Sequence, residues 1–216
     1  MPEITYGRWN PSEIRDRIVD NTWTGVEVMS GLEKIVPTSI NFSGESALLN
    51  PSTGFITFKN ISFIRVNGLF TSTYALYRMI SDISGNVFEG TNLRVRVSLG
   101  PGNDTTSGNY NWNMKYHYAS TWSGSQGTSD TSWMLSQITQ QSFPDDTLFY
   151  RNPSAANSLS FFRKGIFDDN VRDDTTYALH DTYGNMYVGG DFTSLYFFPQ
   201  NNLEFITGSM LFYGYK

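Results

Sequence analysis

The chain contains no cysteine, so disulfide bonds, thiolate nucleophiles and cysteine-ligated metals are excluded. Charged residues make up only 16% of its 216 residues, whereas soluble domains usually contain about 25%. The 15 basic residues are dispersed and outnumbered by 20 acids, which argues against a surface that tracks nucleic-acid phosphates. The polar surface must therefore be built mainly from Asn, Ser, Thr and Gly, and nucleic acid is not expected as a partner.

Long apolar runs are also missing. No stretch approaches 18 consecutive apolar residues, and the first residues, MPEITYGRWNPSE, lack the basic and apolar regions of a signal peptide. We therefore expect a soluble protein that is not inserted in a membrane and does not use the ordinary secretory route.

Groups suited to catalysis are scarce. A hydrolase needs a nucleophile with a base, or a pair of carboxylates. His117 and His180 are the only histidines, and the motifs G-x-S-x-G and H-E-x-x-H do not occur. The composition therefore predicts a protein that is not an enzyme. A glycan depolymerase is the enzymatic alternative.

The densest charge cluster is DDNVRDD, residues 168 to 174. Its carboxylates could offer oxygen ligands to Ca²⁺, but the spacing does not match an EF-hand loop and Arg172 lies inside the run. A solvated acidic loop is the favoured interpretation, and no cofactor or metal is predicted. The weak metal candidates are Asp168, Asp169, Asp173 and Asp174.

Hydrophobic periodicity predicts an all-β fold. Short runs rich in β-branched and aromatic residues are separated by Gly, Asn, Asp and Pro at the spacing of a sandwich. The clearest strand is Leu93 to Leu99, and Asp145-Asp146 after Pro144 resembles a turn. We predict a jelly-roll-type β-sandwich over residues 51–216.

The first fifty residues are predicted to form an arm used for attachment or oligomerisation. Asn10 suits a helix N-cap, Pro11 suits the first helical position, and Glu13 suits a capping box. A three-turn helix is marginal alone, so its apolar stripe must dock on its own domain or on a neighbouring subunit. The stripe consists of Ile14, Ile18 and Val19.

NYNWNMKYHY, residues 109 to 118, alternates with a period of two, which predicts a strand with one buried and one wet face. Four of the five residues on the heavier face are aromatic. That face can build the core, or it can line a groove or a subunit contact, where Tyr and Trp are enriched.

A ligand site, if there is one, is predicted near the polar segment STWSGSQGTSDTS, residues 120 to 132, which is expected to be a long flexible loop. A tryptophan beside such a loop is a candidate for stacking against a sugar. The candidate ligand-binding residues are Trp122, Trp133, Asn111 and His117.

Three segments resemble the β-sandwich domains of bacteriophage tail-fibre and minor tail proteins: YALYRMISDIS, TNLRVRVSLGPGNDTTSGNYNWN and the terminal ITGSMLFYGYK. The resemblance covers roughly residues 54 to 216 and carries no catalytic residues. It implies a symmetric virion component, with a homotrimer favoured, in the tail rather than the head.

Two functions follow as hypotheses. The first is a tail-associated fibre or receptor-binding component that contacts other virion proteins and a host cell-surface glycan. The second is a purely structural virion protein, such as a head-decoration, cement or collar protein. The helical stripe in need of a partner and the low charge fit both.

Overall fold

The computed structural model describes residues 32–86, 91–99, 102–103, 105–106, 108–118, 121–138, 144–151, 158–168, 177–187, 192–201 and 204–215. The predicted helix with Ile14, Ile18 and Val19 lies outside these residues. Glu33–Lys216 forms one compact unit. None of the described residues belongs to a helix that could cross a membrane.

The described part of the chain is built of β-strands joined by turns and extended segments. The strands are β1 Leu32–Ile35, β2 Ser39–Leu49, β3 Ile56–Asn67, β4 Leu76–Gly85, β5 Thr91–Leu99, β6 Gly102–Asn103, β7 Tyr110–Tyr118, β8 Thr121–Asp130, β9 Trp133–Ile138, β10 Pro144–Arg151, β11 Ser158–Asp168, β12 Tyr177–Tyr187, β13 Ser194–Pro199 and β14 Ile206–Tyr215.

These strands form a single sheet in the order β6-β5-β13-β3-β14-β4-β10-β11-β12-β7-β8, with β1 on β14, β2 on β3 and β9 on β5. The sheet curls into a nearly closed barrel or sandwich. The all-β prediction is therefore confirmed, whereas the jelly-roll connectivity stays a prediction. The first two strands fall within the predicted arm, so residues 32–49 contribute to the sheet.

The core lies on the concave face of this sheet. Alternate residues of β5 point into it, and Leu93, Val95 and Val97 are at most 2% exposed. The same alternation continues through β3, β4 and β14, as expected when one face of each strand is buried. The core therefore follows directly from the period-two pattern of the sequence.

Side chains close the seam between the two ends of the curled sheet. The backbone N–H of Val97 on β5 donates to the hydroxyl of Tyr110 on β7 at 3.0 Å. The indole N–H of Trp133 on β9 donates to the carbonyl of Asn185 on β12, also at 3.0 Å. These two bonds join the ends of the curled sheet through aromatic side chains.

Two predictions of irregular structure are wrong. Residues 121–130, predicted as a flexible loop, form β8 and pair with β7 along its length. Asp145, predicted in a turn, lies in β10, and its carboxylate forms an ion pair with Arg163 of β11. In both places the strand ladder overrides a low intrinsic β-propensity, which is weaker than tertiary context.

Candidate functional site

The outer face of the strands β11, β12, β7 and β8 carries a continuous row of side chains. Register places Asn113 opposite Tyr183 on one side and opposite Gln126 on the other, and Tyr183 opposite Phe162. Tyr183 is 46% exposed and Phe162 is 45% exposed. An amide-bearing segment of the row therefore leads directly into an aromatic segment, and both are open to solvent.

Two adjoining hollows lie along this row, and we call them together the outer-face groove. One measures about 680 Å³ and the other about 450 Å³, and they share Asn113 and Gln126. The first is lined by Asn113, Lys115, Ser123, Gly124, Ser125, Gln126 and Asp181. The second is lined by Asn111, Trp112, Asn113, Gln126, Gly127, Thr128, Ser160, Phe161, Tyr183, Gly184 and Asn185.

The groove is polar but nearly neutral. Lys115 and Asp181 stand opposite each other in the β7–β12 register, so their charges offset one another. The other polar groups in the lining are amides and hydroxyls, which both donate and accept hydrogen bonds. Such a lining suits a ligand that is itself uncharged and rich in hydroxyl groups.

Two amides of the groove differ in their hydrogen bonding. Asn111 Oδ1 accepts from the backbone N–H of Ser129 at 3.1 Å, which ties β7 to the irregular end of β8. Asn185 Oδ1 is buried and accepts no hydrogen bond within the described residues. A buried acceptor without a donor costs about 1–3 kcal/mol, so a donor from a ligand or a water would be favourable there.

The aromatic face of β7 lies beneath the groove. Tyr110, Trp112 and Met114 are all buried, at 0%, 7% and 3% exposure. Trp112 donates its indole N–H to Asp130 at 3.1 Å, and Tyr110 packs edge-on against Trp133 at 5.5 Å between ring centres. For these three residues the heavier face of NYNWNMKYHY is core, and its polar face lines the groove.

The predicted ligand residues fall in different places. Asn111 lines the groove. Trp133 is fully buried and packs on Phe161 at 4.9 Å, so its indole has no face open to a sugar and belongs to the core. His117 and Trp122 stand directly opposite each other in the β7–β8 ladder, and the structure describes only the backbone at these two positions.

The predicted metal candidates are not gathered into a site by the described residues. Asp168 ends β11, and Asp169, Asp173 and Asp174 lie outside the described ranges. Across the described ranges, His, Asp and Glu side chains do not form a group of three that could hold a metal ion. His180 lies within β12, opposite position 116 of β7.

Sequence reasoning missed Tyr183, Phe162 and Gln126. Residues 177–187 form one strand, β12. Within one strand, Asp181, Tyr183 and Asn185 share a face, and this spacing is visible in DTYGNMY. Their place beside Asn113 depends on pairing between strands about seventy residues apart, which the spacing does not indicate.

No protein-family model and no curated protein matches this chain. Among solved structures, the CBM2 module of the evolved Dit protein of Lactobacillus casei BL23 phage J-1 aligns with 8% identity and a TM-score of 0.31, covering 87% of this chain and 98% of that one. The carbohydrate recognition domain of Emp47p aligns with 13% identity and a TM-score of 0.31, covering 86% and 95%.

The SPRY domain of human HERC1 aligns with 18% identity and a TM-score of 0.29, covering 74% of this chain and 99% of that one. These values are too low to assign a family. The functional argument therefore rests on the groove itself.

Proposed function

We propose that the protein is a carbohydrate-binding β-domain that holds a neutral glycan in the outer-face groove. The observation that carries the proposal is the row Gln126–Asn113–Tyr183–Phe162, in which exposed amides adjoin exposed aromatic rings. Sugar rings present C–H faces that pack on an aromatic plane, and their hydroxyls pair with amides. The groove offers both kinds of contact side by side.

Each part of the groove has a defined role in this proposal. The Tyr183 ring supports one sugar face, and Asn113 with Gln126 binds the hydroxyls of the same or the next unit. Because the groove is open and shallow, binding without chemistry suits it better than hydrolysis does.

The biological setting that we propose is a bacteriophage virion, with the tail favoured over the head. There the protein would act without catalysis as a fibre or receptor-binding component that contacts other virion proteins and a host cell-surface glycan. This part of the proposal is supported by the resemblance of residues 54–216 to tail-fibre and minor tail domains.

A panel of immobilised neutral oligosaccharides tests the groove. Labelled protein should bind at least one glycan saturably, and Tyr183→Ala should weaken that binding at least about tenfold, since central aromatic contacts are commonly worth 2 kcal/mol or more. Phe55→Ala is the matched control, because Phe55 is 43% exposed and lies outside the groove. Equal losses in both variants would disprove the assignment.

A structural virion role is a second candidate, and a different observation favours it. Two exposed apolar side chains lie close to the β2–β3 turn, Leu48 at 68% and Phe55 at 43%, and the register places Leu48 opposite Thr57 on the outer face. Such a surface suits contact with another subunit, and closed symmetry would cover it. A trimer-sized mass that Leu48→Ser reduces to the monomer, with no glycan bound by either form, would favour this candidate.

A further inference from the structure

A second outer surface, on strands β3, β13 and β5, combines arginines with aromatic rings. Tyr196 on β13 stands directly opposite Arg96 on β5 and directly opposite Arg65 on β3. We call these three residues the arginine–tyrosine row. Neighbouring strands are about 4.8 Å apart, so the two arginine backbones lie roughly 10 Å apart with the phenol between them.

Stacking contacts hold the row in place. The Arg65 guanidinium carbon lies 5.9 Å from the centre of the Tyr196 ring, and that of Arg96 lies 4.6 Å from the centre of Phe198. The Tyr196 ring packs on Phe63 at 5.0 Å and on Phe198 at 5.3 Å. Rings fixed in this way support the guanidinium groups, so a ligand would pay little side-chain ordering entropy.

One arginine is also fixed by a hydrogen bond. Arg96 Nε donates to the carbonyl oxygen of Thr131 at 3.1 Å. That bond orients the guanidinium plane, whose terminal amino groups are those that grip carboxylates, sulfates and phosphates. Burial raises the pKa of the Tyr196 phenol, and the charges of Arg96 and Arg65 partly oppose that rise, so both arginines act on the hydroxyl.

The surroundings of the row are amides and the ion pair of Arg94 with Asp130. Asn41 stands opposite Arg65, and Asn67 donates to the side chains of Ser39 and Asn41 at 3.0 and 2.9 Å. On the β5 side, Asn92 and Gln200 are hydrogen-bonded to each other. An acidic peptide would need apolar recesses for the side chains between its charges. A hydroxyl-rich polymer would instead form hydrogen bonds with the donors and acceptors on both sides of the row.

We propose that the arginine–tyrosine row binds the anionic substituent of an acidic saccharide, with Arg65 and Arg96 flanking the anion and the Tyr196 hydroxyl donating to it. A two-fold contact with a second copy is disfavoured, because it would place these arginines against their own copies. The site differs from the groove in position and in charge, and it does not depend on the groove.

Three dextrans test this assignment because they share one backbone: neutral dextran, carboxymethyl-dextran and dextran sulfate. Titration of the full chain at low ionic strength should show both acidic forms binding at least about tenfold more tightly than neutral dextran, and this preference should shrink near 0.15 M salt. The two acidic forms distinguish a carboxylate-selective from a sulfate-selective site. Equal binding of neutral dextran would overturn the proposal.

Variants locate the binding. Arg65→Gln and Arg96→Gln should each weaken acidic-dextran binding about tenfold, since each removes charge-assisted hydrogen bonds to the anion. Lys34→Gln removes the same charge from an exposed position on β1 and should change binding little. If Lys34→Gln weakens binding as much as the arginine variants do, the effect is general electrostatics and the site is wrong.

Tyr196→Phe keeps the ring packing and removes only the hydroxyl. It therefore tests the proposed anion site even if the arginine variants fold poorly. A normal melting curve with weaker acidic-dextran binding supports the site, whereas unchanged binding overturns it. Polyglutamate that competes as strongly as acidic dextran would show an acidic protein partner and overturn the saccharide. Tyr183→Ala should leave acidic binding intact, so failure of the groove and failure of this row can be told apart.

Discussion

At the scale of single residues, Asp130 connects β7, the end of β8 and β5 at the seam. Its carboxylate accepts from the Trp112 indole at 3.1 Å, from the Thr131 backbone N–H at 2.6 Å and from Arg94 at 3.1 Å. Burial raises the pKa of Asp130. The hydrogen bonds from Trp112 and Thr131 and the contact with Arg94 outweigh that effect, so the pKa lies below its ordinary value. The ionised form is therefore the one that the fold stabilises.

Asp130→Asn should lower the free energy of unfolding by about 1–3 kcal/mol at neutral pH, because the hydrogen bonds to a charged acceptor are weakened. Since the folded pKa is lowered, the contribution is fully present above the ordinary pKa of about 3.9 and is lost as the pH falls through the folded value. Urea unfolding across this range should show the two proteins converging in acid. A constant difference at every pH would contradict the role given to the charge.

Arg163 and Asp145 form an ion pair inside the barrel, with side-chain exposures of 2% and 10%. Burial raises the pKa of Asp145 despite the neighbouring guanidinium. Arg163→Met would leave that carboxylate buried without its cation, at a cost of about 3–5 kcal/mol. Because the folded pKa of Asp145 is raised, its protonation in acid favours the folded state, and that stabilisation is lost as the pH rises through the folded pKa. The stability that Arg163→Met loses should therefore be larger at neutral pH than in acid.

The double variant Arg163→Met with Asp145→Leu removes both charges and should recover most of the stability, since apolar replacement of a buried pair is often neutral or stabilising. Thermal melting of the two single variants and the double variant gives the complete cycle. If the double variant is no more stable than Arg163→Met, the cost does not arise from an unpaired charge.

At the scale of elements, the β2–β3 hairpin is bent by an irregularity at Gly44. The register shifts between Ser43 and Gly44, where Gly44 has φ of +132° and Asn60 across the hairpin has φ of +48°. A Cβ on Gly44 would meet the Asn60 carbonyl and lie 2.6 Å from the Ile61 Cα. These are backbone atoms, which cannot rotate away.

Gly44→Ala should therefore destabilise the protein by at least about 1–3 kcal/mol, the usual cost of a residue held in a disfavoured backbone region. Gly102→Ala is a suitable control, because nothing lies within 4 Å of the Cβ that it would carry. Denaturant unfolding of both variants measures the difference. A Gly44→Ala protein as stable as the control would show that the hairpin can relax.

Strands with one buried face were predictable from sequence, and strands without one were not. Leu93 to Leu99 was located to within two residues, because its apolar residues mark the core face. β8 contains mainly Ser, Gly and Thr, and it forms because β7 supplies a hydrogen-bonding edge. Nothing in its own residues distinguishes it from a loop.

At the scale of the whole molecule, both proposed surfaces arise from pairing between distant segments. Asn113 meets Tyr183, and Arg65 meets Tyr196, across separations that no local pattern encodes. Sequence alternation does predict which residues of each strand face outward. It cannot predict which strands are neighbours, so the wet face of β7 was predictable while its aromatic partner on β12 was not.

The seam makes a prediction for the whole fold, because Tyr110 supplies the acceptor for the Val97 N–H where strand pairing does not. Both residues are fully buried, so Tyr110→Phe leaves an unsatisfied donor that costs about 1–3 kcal/mol. We expect lower thermal stability and about tenfold faster hydrogen exchange at the Val97 amide. Tyr183→Phe, which removes a hydroxyl from an exposed ring, should change neither; if Val97 stays equally protected in Tyr110→Phe, other contacts close the barrel.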